Sequence, residues 1–474
     1  MSLVFMSKTK VLAFLDHEEG RDVEIIMPLV YYAETYLEAS VEFAFVWDVY
    51  AIQRVKPALV LLPNAIGSPL YYEISKWSYK NDIPLFALIS EGNFRTDGTF
   101  NYWGYNKDKL IYQAYVCHWS QRTKDFLTEK LPAYKDKMVL TGALGFDRYS
   151  IYQFAQKEEL LKKLGKGQYR KVIGYAGWAF GKLFNKQGRQ EIQYLHKDNP
   201  GRLKWMEDQM YQVESILKKT VENNPDILFL FKRHPNEANP SIVGEGMNEM
   251  IRLKDHDNVV YLKEGIPIHD LISASDLWMA FESTTTMESW VMKDSPTLLI
   301  NPDPDFKRDK LYLGSLIAND YTQLQRYLDE FFQEGDIAAF HSEEFVAKRQ
   351  QLIKDTIGFA DGFNHIRAGH YLEKVMPREQ MNSKTIQLPA RYRIMYGLMH
   401  LGKFVYVKAI FQRLPKFKKT IWIFERFRLK NLTLLKKTYY RYLADFHAKH
   451  KIADKIRSGD ILHEIIEVNA TIRE

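Results

Sequence analysis

The strongest constraint on this chain is a series of short, apolar, β-rich runs. Each ends at a turn former or a charge, and a helical pattern separates it from the next. KVLAFL (10–15), VEFAFVW (41–47), ALVLLP (58–63), PLFALIS (84–90), AYVCHW (114–119) and MVLTG (138–142) form a first series. A polar stretch with two glycines (151–170) follows and reads as a helix and a linker. The pattern then restarts with KVIGYAG (171–177), ILFLFKRHP (227–235), NVVYLK (258–263), DLWMAF (276–281) and TLLINP (297–302). Strands that are apolar at consecutive positions are covered on both faces, which calls for parallel sheets flanked by helices. Residues 22–37 and 202–223 have the spacing of such helices. The chain is therefore expected to fold as two α/β units of similar size.

Apolar residues make up 46% of the 474, which excludes a disordered chain. The single cysteine, Cys117, can form neither an internal disulfide nor a cysteine-based zinc site, and suits a cytosolic protein. No run of about 18 uncharged apolar residues predicts a spanning helix. The start, MSLVFMSKTK, is too short for a signal peptide. Net charge is +7, but 391–449 holds fifteen Lys and Arg against two acids. That segment carries +13 and the remainder −6, so one local anionic partner is implied.

In doubly wound sheets, ligands bind outside the carboxyl ends of the strands. Glu91-Gly92 follows PLFALIS, where a carboxylate suits a general base and also fits an ordinary loop. Lys232, Arg233, His234 and Pro235 end ILFLFK; His234 can donate to a phosphate, and Pro235 stops the strand. Ser283, Thr284 and Thr285 stand after DLWMAF at an expected helix start, a ready phosphate site. Thr285 and Glu288 also fit a capping box. Gly177 lets a ligand approach the backbone closely, and Gly142 lines a cleft or makes a turn. The loop holding Glu19 and Arg21 could meet an acceptor, and it matches no zinc signature. Asp303-Pro304-Asp305 reads as a turn rather than a metal site. With no Walker lysine loop and no Gly-x-Gly-x-x-Gly, ATPase and dinucleotide readings are disfavoured.

An acid-Gly pair, a His-Pro pair and a Ser-Thr pair after successive strands, in that order, resemble the bacterial sialyltransferases, the Kdo transferases and the wider group of surface carbohydrate biosynthesis proteins. VLTGALGFDRY (139–149) and EEGRDVEI (18–25) look like further segments of that last group. The match covers about residues 10–305 as short motifs. The resemblance implies two facing Rossmann-like domains of the GT-B type: an acceptor domain over 1–155 and a nucleotide-sugar domain over 168–355. A helical cross-back segment and basic tail are expected over 356–474. It further implies a glycosyltransferase using a CMP-linked acidic sugar, such as Kdo or a sialic-acid relative, on a surface or lipid-linked glycan. Glu91 would be the catalytic carboxylate, and His234, Ser283 and Thr284 would hold the phosphate, with Gly177, Lys232, Pro235 and Thr285 around the donor. Glu19, Arg21, Gly92 and Gly142 are expected near the acceptor. No cofactor and no metal are called for. Ser90 stands where sialyltransferases often have a first acid, and the Gly142 segment lacks their usual proline and arginine. His-Pro with hydroxyls also occurs in CDP-glycerol polymerases and nucleotide-sugar 2-epimerases. The alternatives are therefore CDP-polyol phosphate transfer and a non-catalytic membrane-associated scaffold.

In the tail, Trp422, Phe424, Phe427, Tyr439 and Tyr440 interleave with Lys and Arg, the composition of helices lying in a membrane interface. An anionic membrane surface contacted through 391–449 is the expected partner, on the inner face of the bacterial cytoplasmic membrane. Bulky Ile, Leu, Phe and Trp are too frequent there for a nucleic-acid groove, and a plain core helix is the remaining alternative.

Overall fold

The computed structural model describes residues 8–18, 20–64, 69–90, 92–93, 110–195, 201–238, 248–263, 265–305, 313–377, 385–406 and 429–466. It divides into two units. One comprises Met1–Tyr152 with Lys354–Glu474, the other Gln153–Ile353.

The first unit is built on six parallel strands in the order β2-β1-β3-β4-β5-β6. These are β1 (Thr9–Leu15), β2 (Ala39–Phe45), β3 (Leu59–Leu62), β4 (Leu85–Ala87), β5 (Val116–His118) and β6 (Met138–Leu140). Val11 pairs with Val41 on one side and Leu59 on the other. Every residue of β3 is buried, as a strand covered on both faces requires. Helix α1 (Arg21–Tyr36) covers one face through Ile25, Ile26, Leu29 and Val30.

The second unit repeats the plan in the order β12-β11-β10-β7-β8-β9, again all parallel. Its strands are β7 (Lys171–Ala176), β8 (Ile227–Lys232), β9 (Val259–Leu262), β10 (Leu277–Ala280), β11 (Thr297–Ile300) and β12 (Leu316–Ala318). Helices α2 (Arg202–Asn223) and α3 (Thr285–Lys293) belong to it. Gly174 lies in β7 under the Trp278 ring of β10, where a Cβ would stand 2.1 Å from the indole. The small residue thus admits the large one, and Trp278 fills the sheet's face.

The stretch 151–170 contains the helix Lys157–Lys163, which buries Leu160 and Leu161 in the second core, while Lys157 Nζ binds Asp276 at 2.7 Å. The C-terminal residues, from Lys354 on, belong to the first unit. Helix α4 (Asn364–Val375) packs on α1, with Gly369 flush against the Tyr32 ring. Helix α5 (Ala390–Tyr406) follows, then α6 (Leu429–Lys449) and α7 (Ile452–Ser458).

Helix α6 also corrects the reading of the basic aromatics. Tyr440 meets the Tyr31 ring edge-on at 5.0 Å, and Tyr439 meets Tyr152 at 4.8 Å. The Tyr440 hydroxyl and Lys436 Nζ both bind Glu34 of α1. These residues face protein, because α1 supplies the acid and the rings that complement them. Trp422, Phe424 and Phe427 lie outside the described residues. Among the described residues, no helix is long and apolar enough to cross a membrane.

Candidate functional site

The order of the second sheet decides where its ligand site can be. Chain order reverses at β7, which has β10 on one side and β8 on the other. The crevice at the carboxyl ends of such a switch point is the binding position of doubly wound sheets. Gly177 follows β7, His234 follows β8 and Ser283 follows β10. Three motifs far apart in sequence thus leave three adjacent strand ends.

At the β10 end the hydroxyls form an ordered chain. Trp278 Nε1 donates to Thr285 Oγ1 at 2.9 Å, and Thr285 Oγ1 donates to Ser283 Oγ at 2.9 Å. The Thr285 backbone N–H also points at Ser283 Oγ, at 3.3 Å. Ser283 Oγ accepts from both, so its own O–H is the donor this chain presents at the start of α3. The expected capping box is not formed. The helix begins at Thr285, with Thr284 exposed at the cap position and making no side-chain cap bond. Thr286 Oγ1 bonds Ser283 O at 3.1 Å.

At the β8 end His234 is half-buried. Burial, and then the nearby Lys182 ammonium, push its imidazole down to about 4, so the ring is neutral near pH 7. A neutral ring donates through one N–H. Lys232 Nζ donates to the Ile266 carbonyl at 2.9 Å. Pro235 is exposed and opens the turn Pro235–Ala238.

At the β7 end the Gly177 N–H donates to the Lys232 carbonyl at 2.9 Å, joining this loop to the β8 end. Trp178, Phe180, Phe281 and Trp205 form an aromatic cluster here, with Trp178 and Phe180 centroids 4.9 Å apart. Arg202 lies 4.1 Å over the Trp205 ring and 3.7 Å from Glu282. Trp205 Nε1 donates to Asp303 Oδ2 at 2.7 Å, while Asp303 Oδ1 accepts the Asp305 N–H, so the Asp-Pro-Asp segment is a turn. Among the described residues no cluster of His, Cys, Asp and Glu could hold a metal ion.

No protein-family model matches the chain, and no curated protein matches it. Solved structures do. A UDP-N-acetylglucosamine 2-epimerase superposes with a TM-score of 0.50 at 13% identity, over 79% of this chain and 98% of that one. The chain has a GT-B type of fold. Two further neighbours are S. aureus MnaA with UDP (TM-score 0.49, 12% identity, 77% of this chain and 96% of that one) and the wall teichoic acid polymerase TagF (0.46, 11%, 78% and 88%). At these identities the likeness is one of fold alone.

In the first unit, Arg21 is exposed at the start of α1, and Glu19 and Glu91 lie outside the described residues. Gly92 sits against Trp119, where a Cβ would stand 2.4 Å from the ring. Gly142 has φ +79°, and a Cβ there would stand 1.9 Å from Asn364 Oδ1. Both glycines are needed for packing at the β4 and β6 ends. The aspartate of the VLTGALGFDRY segment, Asp147, is buried and accepts the Asn364 and His365 N–H groups (3.1 and 2.7 Å), docking the start of α4.

Proposed function

We propose that the chain transfers a sugar from a nucleotide-activated donor, and that the donor phosphate sits at the carboxyl edge of the second sheet. The observation that carries this reading is the placement of Ser283, Gly177 and His234 after the adjacent strand ends of β10, β7 and β8. The Ser283 O–H and the neutral imidazole of His234 would donate to phosphate oxygens. Breaking the bond from the anomeric carbon to the phosphate oxygen leaves charge on that phosphate, and these donors stabilise it. Glu91 would take the proton of the acceptor hydroxyl. The motif resemblance favours a CMP-linked acidic sugar, Kdo or a sialic-acid relative, with a glycan acceptor in the first unit.

Titration with CMP, CDP and UDP, followed by CMP-, CDP- and UDP-sugars with acceptor, tests the donor class. A hydrogen bond to a charged partner contributes about 1.5–3 kcal/mol. His234→Ala should therefore weaken nucleotide binding at least tenfold, with little change in melting temperature. Unchanged affinity in that variant would remove His234 from the site.

The same reading places the acceptor on an anionic membrane, and helix α5 supports it. Its inner side is held by Tyr392, which is buried and receives Trp77 Nε1–H at 2.8 Å, and by Tyr396 against Tyr50. Its outer side exposes Ile394, Leu398 and Leu401, each about 60% accessible, beside exposed Arg391 and Arg393. An apolar ridge at helical spacing flanked by cations suits a lipid interface. The variant Ile394→Glu/Leu398→Glu should lose at least tenfold in binding to vesicles containing anionic lipid and keep its nucleotide affinity. Equal sedimentation of variant and parent would place membrane contact elsewhere or deny it.

A further inference from the structure

The loop that leaves β7 is held from beneath by two buried carboxylates that no local sequence pattern announces. Glu249 Oε1 accepts the Trp178 backbone N–H at 3.0 Å and the Tyr175 hydroxyl at 3.2 Å. Glu237 Oε1 accepts the Gly181 backbone N–H at 2.7 Å. Asn248 ties the two acids together. Its Nδ2 donates to Glu237 Oε2 at 2.8 Å and to the Tyr261 hydroxyl at 2.9 Å, while its Oδ1 accepts the N–H groups of Met250 and Ile251. Gly177 lies so close to this segment that a Cβ would stand 2.3 Å from Met250 Cε. The loop also carries Lys182, itself buried and bound to Glu191 at 3.0 Å, and Lys182 acts on His234.

We propose that Glu237 and Glu249 are positioning residues of the nucleotide site, holding the β7 loop by two of its backbone N–H groups so that Gly177 and Lys182 keep their places beside His234. This rests on the reading that the nucleotide binds at this sheet edge. The geometry also sets the form in which Glu249 works. It is fully buried, and its Oε2 has no hydrogen-bond partner among the described residues. An ionised carboxylate with one bare oxygen in such a place is strongly disfavoured, so the acid is neutral and Oε1 accepts as a carbonyl. Burial, and then the neighbouring Glu237, push its carboxyl up to about 8.

Among the described residues, the other titratable groups facing this pair are Tyr175 on β7, Arg233 after β8 and Tyr261 on β9, whose phenol burial pushes above 10. Burial also raises Glu237 above the ordinary carboxylate range. Ionisation of Glu249 would place a second negative charge beside Glu237 and draw water under the loop. The loop should therefore loosen on the alkaline side.

Hydrogen exchange of the 177–184 amides, corrected for the intrinsic pH dependence, reads the loop without any nucleotide. Protection in the parent protein should fall at least tenfold between pH 7 and pH 9.5. CMP, CDP or UDP affinity should fall with it, whichever of these binds. Glu249→Gln, which keeps the Oε1 acceptor and cannot ionise, should hold both quantities level over that range. A parent protein whose protection is level from pH 7 to 9.5 overturns the proposal without need of a variant. So does a Glu249→Gln protein that loses protection as the parent does. If protection follows the expected course but no nucleotide binds at any pH, the carboxylate clamp stands and the nucleotide reading fails.

Discussion

A chain ending at Gln387 should lose its first unit altogether rather than lose only a membrane contact. Helices α6 and α7 and the segment 461–466 bury Leu432, Leu443, Phe446, Ile452, Ile461 and Ile465 against that unit. At roughly 1.5–3 kcal/mol for each large apolar side chain, an upper estimate, they contribute about 9–18 kcal/mol. A whole domain is stable by only about 5–15 kcal/mol. Polar ties are lost as well. Asn431 Nδ2 reaches Glu18 at 2.8 Å, Lys436 reaches Glu34 at 2.8 Å, and Arg367 of α4 bonds the Ile465 carbonyl at 3.0 Å. The truncated chain should aggregate on expression, or lack the cooperative melting transition of the first unit in calorimetry. A soluble truncated protein with that transition in place would show that the C-terminal helices are dispensable.

The same helices show where sequence reading stops. A basic helix carrying tyrosines has one pattern whether it lies on lipid or on an acidic protein surface. Tyr439, Tyr440 and Lys436 belong to the second case because α1 presents Glu34 and Tyr31 at the right height, which no local feature of α6 reveals. On α5, by contrast, the apolar side chains of Ile394, Leu398 and Leu401 do point outward. Strands fared differently. Eleven of the twelve stand out as apolar runs, since burial on both faces writes itself into consecutive residues. The exception, Leu316–Ala318, is three residues at a sheet edge, too short to make a run.

The candidate site divides along the same line. Gly177, His234 and Ser283 were legible because the strand before each is, and the strand's end fixes where a ligand can be. Glu237, Glu249, Arg202, Trp205 and Lys182 were not. They reach the site from turns and from the start of a helix, and only the fold brings them to the β7 loop. The capping box expected at Thr285 does not form. Serine and threonine in succession offer several caps, and the Trp278 indole selects the arrangement in which Ser283 Oγ is the acceptor.

Acid should be the first unit's weakness, well before its carboxylates titrate. His447 of α6 is the third member of a buried row. His365 Nδ1 lies 2.8 Å from Asp147 Oδ2, its Nε2 lies 2.8 Å from His447 Nε2, and His447 Nδ1 lies 2.8 Å from the Tyr36 hydroxyl. Burial, and then the two neighbouring histidines, push His447 down to about 2. In β5, burial and then Lys124 push His118 down to about 3. Both rings are neutral in the folded unit and titrate near 6.5 once it unfolds. Their contribution is therefore complete above about pH 6.5 and is lost as the pH falls below that value, because the unfolded chain then binds two protons that the folded one refuses. Each such proton costs about 1.4 kcal/mol per pH unit once the unfolded ring is fully protonated and half of that at pH 6.5, so the pair removes about 3 kcal/mol between pH 6.5 and pH 5. Denaturant unfolding of the intact protein across that interval should show this loss. His447→Gln, whatever its stability at pH 7, should show about half of the slope, since one of the two protons no longer enters. A stability that stays level from pH 7 to pH 5 would mean that His118 and His447 bind protons as readily folded as unfolded. Water would then have to reach the row that joins Asp147 to Tyr36.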